Sequence, residues 1–228
     1  MRDYLLVSNL SKASAIGGVA TLMSVPRLIQ AGVEFWIYLP VVFGGMTLSA
    51  AAVTAWSNRA GMCGMFPSRR RMLTGLGIAA VLACTITPIY SCWLDPIFRH
   101  AIAATGDRGM LRMRYPVTLG GCITITLWSA SFETVFFRAA TMSFFARLTG
   151  SLWISLIAAV GLRIFVILKQ LSTAGIVDAI PLFVVCTVIV SFISCVLFAR
   201  TGLPGTVLFS VGLNFHLFIS LLRESSTS

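Results

Sequence analysis

The second half of the chain is dominated by one long apolar stretch, from residue 116 to residue 222. Only seven charged residues interrupt these 107 positions. A soluble domain normally has about a quarter of its residues charged, whereas only 11% of the 228 residues of this chain are. The sequence therefore predicts an all-α polytopic integral membrane protein, and it excludes soluble enzymes and nucleic-acid-binding domains.

The basic excess, a net charge of +10, lies in the connectors between apolar segments. Arginines cluster at 69–71 and again between 108 and 114, where we expect contacts with anionic lipid headgroups such as cardiolipin, and no nucleic-acid partner. The cysteines lie mostly in apolar runs and lack metal-ligand spacing, so neither a metal nor a cofactor site is predicted. They are Cys63, Cys84, Cys92, Cys122, Cys186 and Cys195.

The first 115 residues predict a helix or hairpin region. Residues 12–31 suit an interfacial amphipathic helix, and residues 33–56 form the first clear span, with tryptophans near both ends. Residues 72–94 form a second span that contains Pro88, which membrane helices tolerate as a kink. The polar stretch 95–115 is expected to be a loop.

The remaining residues, 116–228, predict two long, tilted C-terminal helices. The 52 residues between Pro116 and Lys169 suit one span followed by a helix of about 35–40 residues. A turn is expected near 171–181, and the apolar stretch that follows is broken only at 200–204. We expect both regions to form a single membrane domain over residues 1–228.

Four of the seven charged residues in this apolar half fall inside its first long apolar run: Glu133, Arg138, Arg147 and Arg163. A charge within a membrane helix costs at least about 3 kcal/mol. It is retained only against water, protein or a counter-charge. These residues are therefore the first candidates for function.

Glu133 and Arg147 are fourteen residues apart. At ~100° per residue this is within ~40° of four full turns, so both would share one face of an α-helix about 21 Å apart. Small or hydroxylated residues, including Ser143 and Ser151, share that stripe, which is typical of the wall of a hydrated path. The alternative is that both charges have a purely structural role. In that case Glu133 pairs with Arg138 or a loop cation, and Arg147 extends to the membrane interface.

The last apolar segment adds Asn214 and His216. Asn214 lies deeper and needs a hydrogen-bond partner on a facing helix. A single histidine near a membrane boundary is more often interfacial than a proton relay, so both interpretations of His216 stay open.

These residues resemble subunit a of the rotary F-type ATP synthases. That family carries a Glu followed fourteen residues later by an Arg-Leu pair, and this chain has Glu133 and then Arg147-Leu148. In the last helix, Asn214 and Phe218 stand where the family has Gln and Phe. Ser151 stands where the family usually has Asn.

The resemblance implies a proton-translocating stator subunit without independent catalytic chemistry. Arg147 would face the c-subunit ring and block a direct proton leak, because arginine does not deprotonate. Glu133 would transfer protons in one half-channel, with Ser143, Ser151, Asn214 and His216 supporting the path. The implied partners are the c-ring and the other membrane-sector and peripheral-stalk subunits. The implied location is the mitochondrial inner membrane or, alternatively, a bacterial plasma membrane.

Two other interpretations remain open. Glu133 to Arg138 resembles the Glu-Glu-x-x-x-Arg motif of CAAX-type intramembrane proteases, with Thr134 in place of the second Glu. Those enzymes also need a His some twenty residues later and a His-x-x-x-Asn element. No His occurs between 101 and 215. This alternative is therefore a degenerate, non-catalytic relative of these proteases. The third interpretation is an accessory membrane subunit without chemistry of its own.

Overall fold

The computed structural model describes residues 7–32, 34–104, 115–116, 118–174 and 180–227. The described residues form helices and their connections and contain no strand. This confirms the predicted all-α fold.

Nine α-helices and two π-helical segments, π1 and π2, make up this described part. The helices are α1 (Val7–Gln30), α2 (Phe35–Trp56), α3 (Arg69–Ile89), α4 (Asp95–Ala104), α5 (Leu119–Trp128), α6 (Thr141–Thr149), α7 (Leu152–Ala174), α8 (Ile180–Leu213) and α9 (Phe215–Thr227). π1 (Tyr90–Leu94) joins α3 to α4, and π2 (Ser129–Ala140) joins α5 to α6.

Five continuous helical stretches are long and apolar enough to cross a membrane. They are Trp36–Trp56, Arg69–Ala101, Leu119–Thr149, Leu152–Thr173 and Ile180–Arg223. The expected span at 33–56 coincides with the first of these from residue 36 onward, and the expected span at 72–94 lies within the second, so both are confirmed. The protein is therefore a polytopic membrane protein.

Helix α3 packs against α8 through small side chains. Its buried residues recur every fourth position, at Gly75, Ala79, Ala83 and Thr87. A Cβ built on Gly75 would lie 2.3 Å from the Thr201 Cβ atom, so the two backbones approach too closely for any larger residue. Small residues at this spacing are the usual contact surface between membrane helices.

Helix α8 is long, as expected, but it bends sharply at Gly202, whose φ of 73° and ψ of −166° are not helical. The two arms, 180–201 and 203–213, lie side by side: Leu197 and Phe209 belong to one buried cluster, and Val190 and Leu213 line one cavity. In a straight helix those last two residues would be about 35 Å apart. The chain therefore reverses direction at Gly202, and the 44-residue stretch Ile180–Arg223 has the length for two crossings of an apolar layer about 30 Å thick.

The chain reversal depends on glycine at position 202. Its backbone lies against the α2–α3 connector, where Leu203 N–H donates to the Met65 carbonyl over 3.0 Å. A Cβ at 202 would come within 2.7–2.9 Å of Pro67 and of the Met65 and Gly64 carbonyl oxygens. A positive φ and this contact both favour glycine.

Two local expectations differ from the structure. The segment between Pro116 and Lys169 is not one span plus a 35–40-residue helix, because a left-handed residue, Gly150 (φ 67°), ends α6 before α7 begins. The polar stretch 95–115 is not simply a loop: its first ten residues form α4, because the helical stretch that begins at Arg69 continues through π1 into it. Residues 105–114 of that expected loop, and 175–179 of the expected turn, lie outside the described residues.

Candidate functional site

Segment π2 carries two of the four charged residues that the sequence singled out, Glu133 and Arg138. Its wide turns are seen in two side-chain bonds that span five residues: the Thr134 hydroxyl donates to the Ser129 carbonyl over 2.8 Å, and Thr141 donates to Phe136 over 3.0 Å. π-helical turns are rare and frequent at functional sites. Because these bonds span five residues instead of four, each turn of π2 holds more residues than a turn of an α-helix.

Glu133 forms a buried ion pair with Arg163 of α7. The Glu133 Oε1 and Arg163 Nη2 atoms are 2.5 Å apart, and only 9% and 11% of the two side chains are exposed. The Ser129 hydroxyl donates to the other carboxylate oxygen over 3.3 Å. The Arg163 guanidinium also lies 5.2 Å from the centre of the Phe137 ring, a cation–π contact. The pair thus joins π2 to α7.

Arg138 lies in a group of hydroxyls between π2 and the second arm of α8. Its Nη1 atom donates to Thr134 Oγ1 over 3.0 Å and to the Ser210 hydroxyl. The Thr134 and Ser210 oxygens are 3.1 Å apart, and all three residues are buried. The Ser210 oxygen is free to accept this hydrogen bond from Arg138 because its own hydroxyl proton is donated to the Thr206 carbonyl over 3.0 Å.

A second polar group holds α9 in place. His216 Nδ1 lies 3.0 Å from Asp95 Oδ2, and the Ser220 hydroxyl donates to the same oxygen. The imidazole also contacts the Tyr90 ring, with centres 5.2 Å apart. Asp95 is only 1% exposed, so α4 and α9 meet through a buried carboxylate.

Both polar groups border one cavity of about 110 Å³. This volume corresponds to roughly three or four water molecules or to one carboxylate-sized group. Among the described residues, the charged side chains that line it are one carboxylate and two guanidiniums. The polar lining includes Ser129, Glu133, Arg138, Arg163, Asn214 and His216.

The predicted site residues separate into two places. Glu133, Asn214 and His216 line the cavity. Arg147 is exposed in the last turn of α6, and Ser151 lies just beyond, where its hydroxyl accepts from Ile154 N–H at the start of α7 over 3.4 Å. The prediction that Glu133 and Arg147 share a face assumed 100° per residue, which the wider turns of π2 do not follow.

Ser143 is fully buried, and its hydroxyl has no hydrogen-bond partner among the residues that the structure describes. It lies in α6 and does not line the cavity with Glu133. The stripe of small residues on which it was placed is therefore not a continuous wall.

Sequence reasoning missed Asp95, Thr134 and Ser210 as site residues. Asp95 stands in the stretch read as a loop. One feature of the sequence could have indicated Ser210: it stands four residues before Asn214, at the histidine position of the His-x-x-x-Asn element. Only the chain reversal at Gly202 brings Ser210 against Arg138, and no local pattern encodes that approach.

Among the described side chains that line the cavity directly, two guanidiniums stand against one carboxylate, while the Asp95 carboxylate lies behind His216. Within a low-dielectric bundle an excess of positive charge is stabilised by a bound anion.

No protein family, curated protein or solved structure matched the chain.

Proposed function

We propose that the protein is a non-catalytic relative of CAAX-type intramembrane proteases, which binds the carboxylate end of an apolar, membrane-embedded peptide without cleaving it. The observation that carries this proposal is the buried pair between Glu133 and Arg163. In this pair, the carboxylate of the protease-like motif, Glu133, is bound by the Arg163 guanidinium. The pair lies beside a cavity whose described lining has one more positive than negative side chain.

The spacing of four polar residues agrees with the motifs of CAAX-type intramembrane proteases. Glu133 and Arg138 fit the first and last places of the Glu-Glu-x-x-x-Arg motif. Asn214 fits the end of the His-x-x-x-Asn element, and Ser210 stands where its histidine would be. These four residues come from distant parts of the chain, yet Arg138 bonds to Ser210, and Glu133, Arg138 and Asn214 line the same cavity.

The same contacts argue against hydrolysis. To accept a proton from water, Glu133 would have to give up its ion pair with the Arg163 guanidinium, whose side chain is only 11% exposed, and losing one partner of such a pair is costly. His216 also lines the cavity, but it follows Asn214 instead of preceding it by four residues, and its Nδ1 is held near Asp95. A general base with a free carboxylate or imidazole in the motif position is thus missing.

Charge and size support a carboxylate as the bound group. Glu133, Arg138 and Arg163 together carry one positive charge in excess, and a hydrogen bond to a charged group in a buried site is worth about 1.5–3 kcal/mol. The cavity volume of about 110 Å³ admits the end of a peptide but not a whole segment. The apolar remainder would lie among the surrounding helices.

The resemblance to subunit a receives less support from the geometry. That proposal requires Arg147 to meet a ring carboxyl near the middle of the membrane. Arg147 lies instead in the last turn of α6, three residues before the left-handed Gly150. Glu133 is engaged with Arg163.

The test uses the full chain in lipid nanodiscs and a fluorescent farnesylated peptide with a free C-terminal carboxylate. We expect saturable binding by fluorescence anisotropy, and an intact peptide by mass spectrometry after prolonged incubation. The same peptide with an amidated C-terminus should bind at least about tenfold more weakly.

Arg138→Gln should lose the preference for the free carboxylate, whereas Arg147→Gln, which removes the same charge outside the cavity, should keep it. Peptide cleavage would show that the protein is an active protease. Equal binding of the two peptides would refute the carboxylate site.

A further inference from the structure

Several connections of the chain meet at one end of the helical bundle. Cys63 N–H in the α2–α3 connector donates to the Ala199 carbonyl near the bend of α8 over 2.8 Å. Trp56, the last residue of α2, lies against Phe144 of α6, with ring centres 6.3 Å apart. This end, which we call the connector end, therefore contains the start of α3, the end of α6 and the bend of α8.

The connector end is strongly basic. The described acidic side chains lie elsewhere: Glu34 precedes α2 at its other end, Asp95 begins α4, and Glu133 is in π2. Arginine excess in short loops marks the cytoplasmic side of a membrane protein, where the leaflet carries anionic lipids. The arginines at this end are Arg59, Arg69, Arg70, Arg71, Arg147 and Arg200.

A cleft at the connector end lies between α3 and the first arm of α8. It has a volume of about 370 Å³ and is lined by Arg70, Arg71, Thr74 and Arg200, with Ile78 and Thr201 at its base. The three arginines are exposed, and none forms an ion pair with the described residues. The first turn of α3, whose amides carry partial positive charge, adds to the same field.

The arginine cleft continues into an apolar groove of about 240 Å³. Ile78, Arg200 and Thr201 line both. The deeper groove is lined by apolar side chains from α3 and α8: Leu82, Phe192, Ile193, Val196 and Leu197. Because Leu82 follows Arg70 by twelve residues, it lies about 18 Å further along the helix, within the depth of the hydrocarbon layer.

We propose that this cleft and groove form a binding site for an anionic phospholipid. The headgroup phosphate would contact Arg70, Arg71 and Arg200, and one acyl chain would lie along the groove. A free phosphate would occupy the cleft but leave the apolar groove uncovered. A zwitterionic lipid would place its own positive group beside the arginines, which would repel it. The site is separate from the Glu133 cavity and does not depend on the function proposed for it.

The experiment measures lipid binding to the purified full-length protein by native mass spectrometry. The probes are phosphatidylglycerol and phosphatidylcholine with identical acyl chains. We expect phosphatidylglycerol to remain bound at concentrations at which phosphatidylcholine does not. A tenfold excess of inorganic phosphate should leave the lipid in place, because phosphate cannot fill the groove.

Arg70→Gln with Arg200→Gln should weaken phosphatidylglycerol binding about 25-fold, since each arginine near an anionic lipid contributes roughly fivefold. The control variant, Arg59→Gln with Arg147→Gln, removes two charges from the same end but outside the cleft, and should bind as the unchanged protein does. Ile193→Trp should also abolish binding, with the arginines intact, by filling the groove. Unchanged binding in the Arg70/Arg200 variant, equal binding of the two lipids, or displacement by phosphate would each overturn the site.

Discussion

The Glu133 carboxylate lies 2.5 Å from the Arg163 guanidinium, although thirty residues and the helix end at Gly150 separate them in the chain. Their contact joins π2 to α7. Arg138 lines the same cavity. Replacing any one of Glu133, Arg138 or Arg163 by a neutral residue therefore changes the net charge of this group.

Arg163→Gln should destabilise the protein by about 3–5 kcal/mol, because it leaves a buried carboxylate without its partner. The double variant Glu133→Gln with Arg163→Gln should recover much of that loss, since both charges are gone. The measurement is the free energy of unfolding in detergent micelles, compared in a double-mutant cycle. Additive losses would mean that the pair is not coupled.

Asp95→Asn should loosen α9, because the carboxylate contacts both His216 and Ser220. We expect a loss of about 1–3 kcal/mol in stability, with faster amide hydrogen exchange confined mainly to α9. His100→Gln is the matched control, since His100 is exposed on the same helix, α4. An unchanged exchange rate in α9 would contradict the proposed role of Asp95.

Gly202→Ala should destabilise the protein by about 1–3 kcal/mol, because alanine is strained at φ 73° and its Cβ would collide with the Met65 carbonyl. Gly77→Ala provides the control. Nothing lies within 4 Å of a Cβ at Gly77, and alanine favours the helix by about 0.5–1 kcal/mol. Thermal unfolding of both variants in one detergent compares them directly. Equal stability would show that the reversal tolerates a side chain.

Arg147→Ala separates the two families that the sequence resembles. A subunit a requires this arginine, so proton-driven ATP synthesis in membranes carrying the variant would be abolished with the complex still assembled. The function proposed here predicts no effect on ATP synthesis from Arg147→Ala or from Arg163→Ala. Selective loss with Arg147→Ala would identify a ring-facing arginine and refute the protease-related proposal.

Much of the fold followed from hydropathy. The spans at 33–56 and 72–94 needed only the length of an apolar run, because a membrane imposes a minimum helix length. The register within 116–169 could not be predicted in this way. Periodicity of 3.6 residues placed Glu133 and Arg147 on one face, but the wider turns of π2 do not follow that periodicity.

The candidate site was found only in part. Glu133, Asn214 and His216 stood out because a polar group in an apolar run is costly and must have a partner. Their partners stayed hidden: Asp95 was read as part of a loop, and Arg163 as a separate cation. Which cation meets which anion depends on how helices lie beside one another, and residue spacing within one helix carries no such information.

By itself, the sequence determined that the chain forms apolar helices long enough to cross a membrane, and that a few charges are buried among them. Both conclusions depend on composition and on the cost of exposing backbone and charge to lipid, which are local properties. Tertiary structure alone decided that α8 reverses at Gly202, that Ser210 meets Arg138, and that Glu133 pairs with Arg163 instead of sharing a face with Arg147. These contacts join residues 30 to 72 positions apart, and they form only when packing of the small-residue faces brings the helices together.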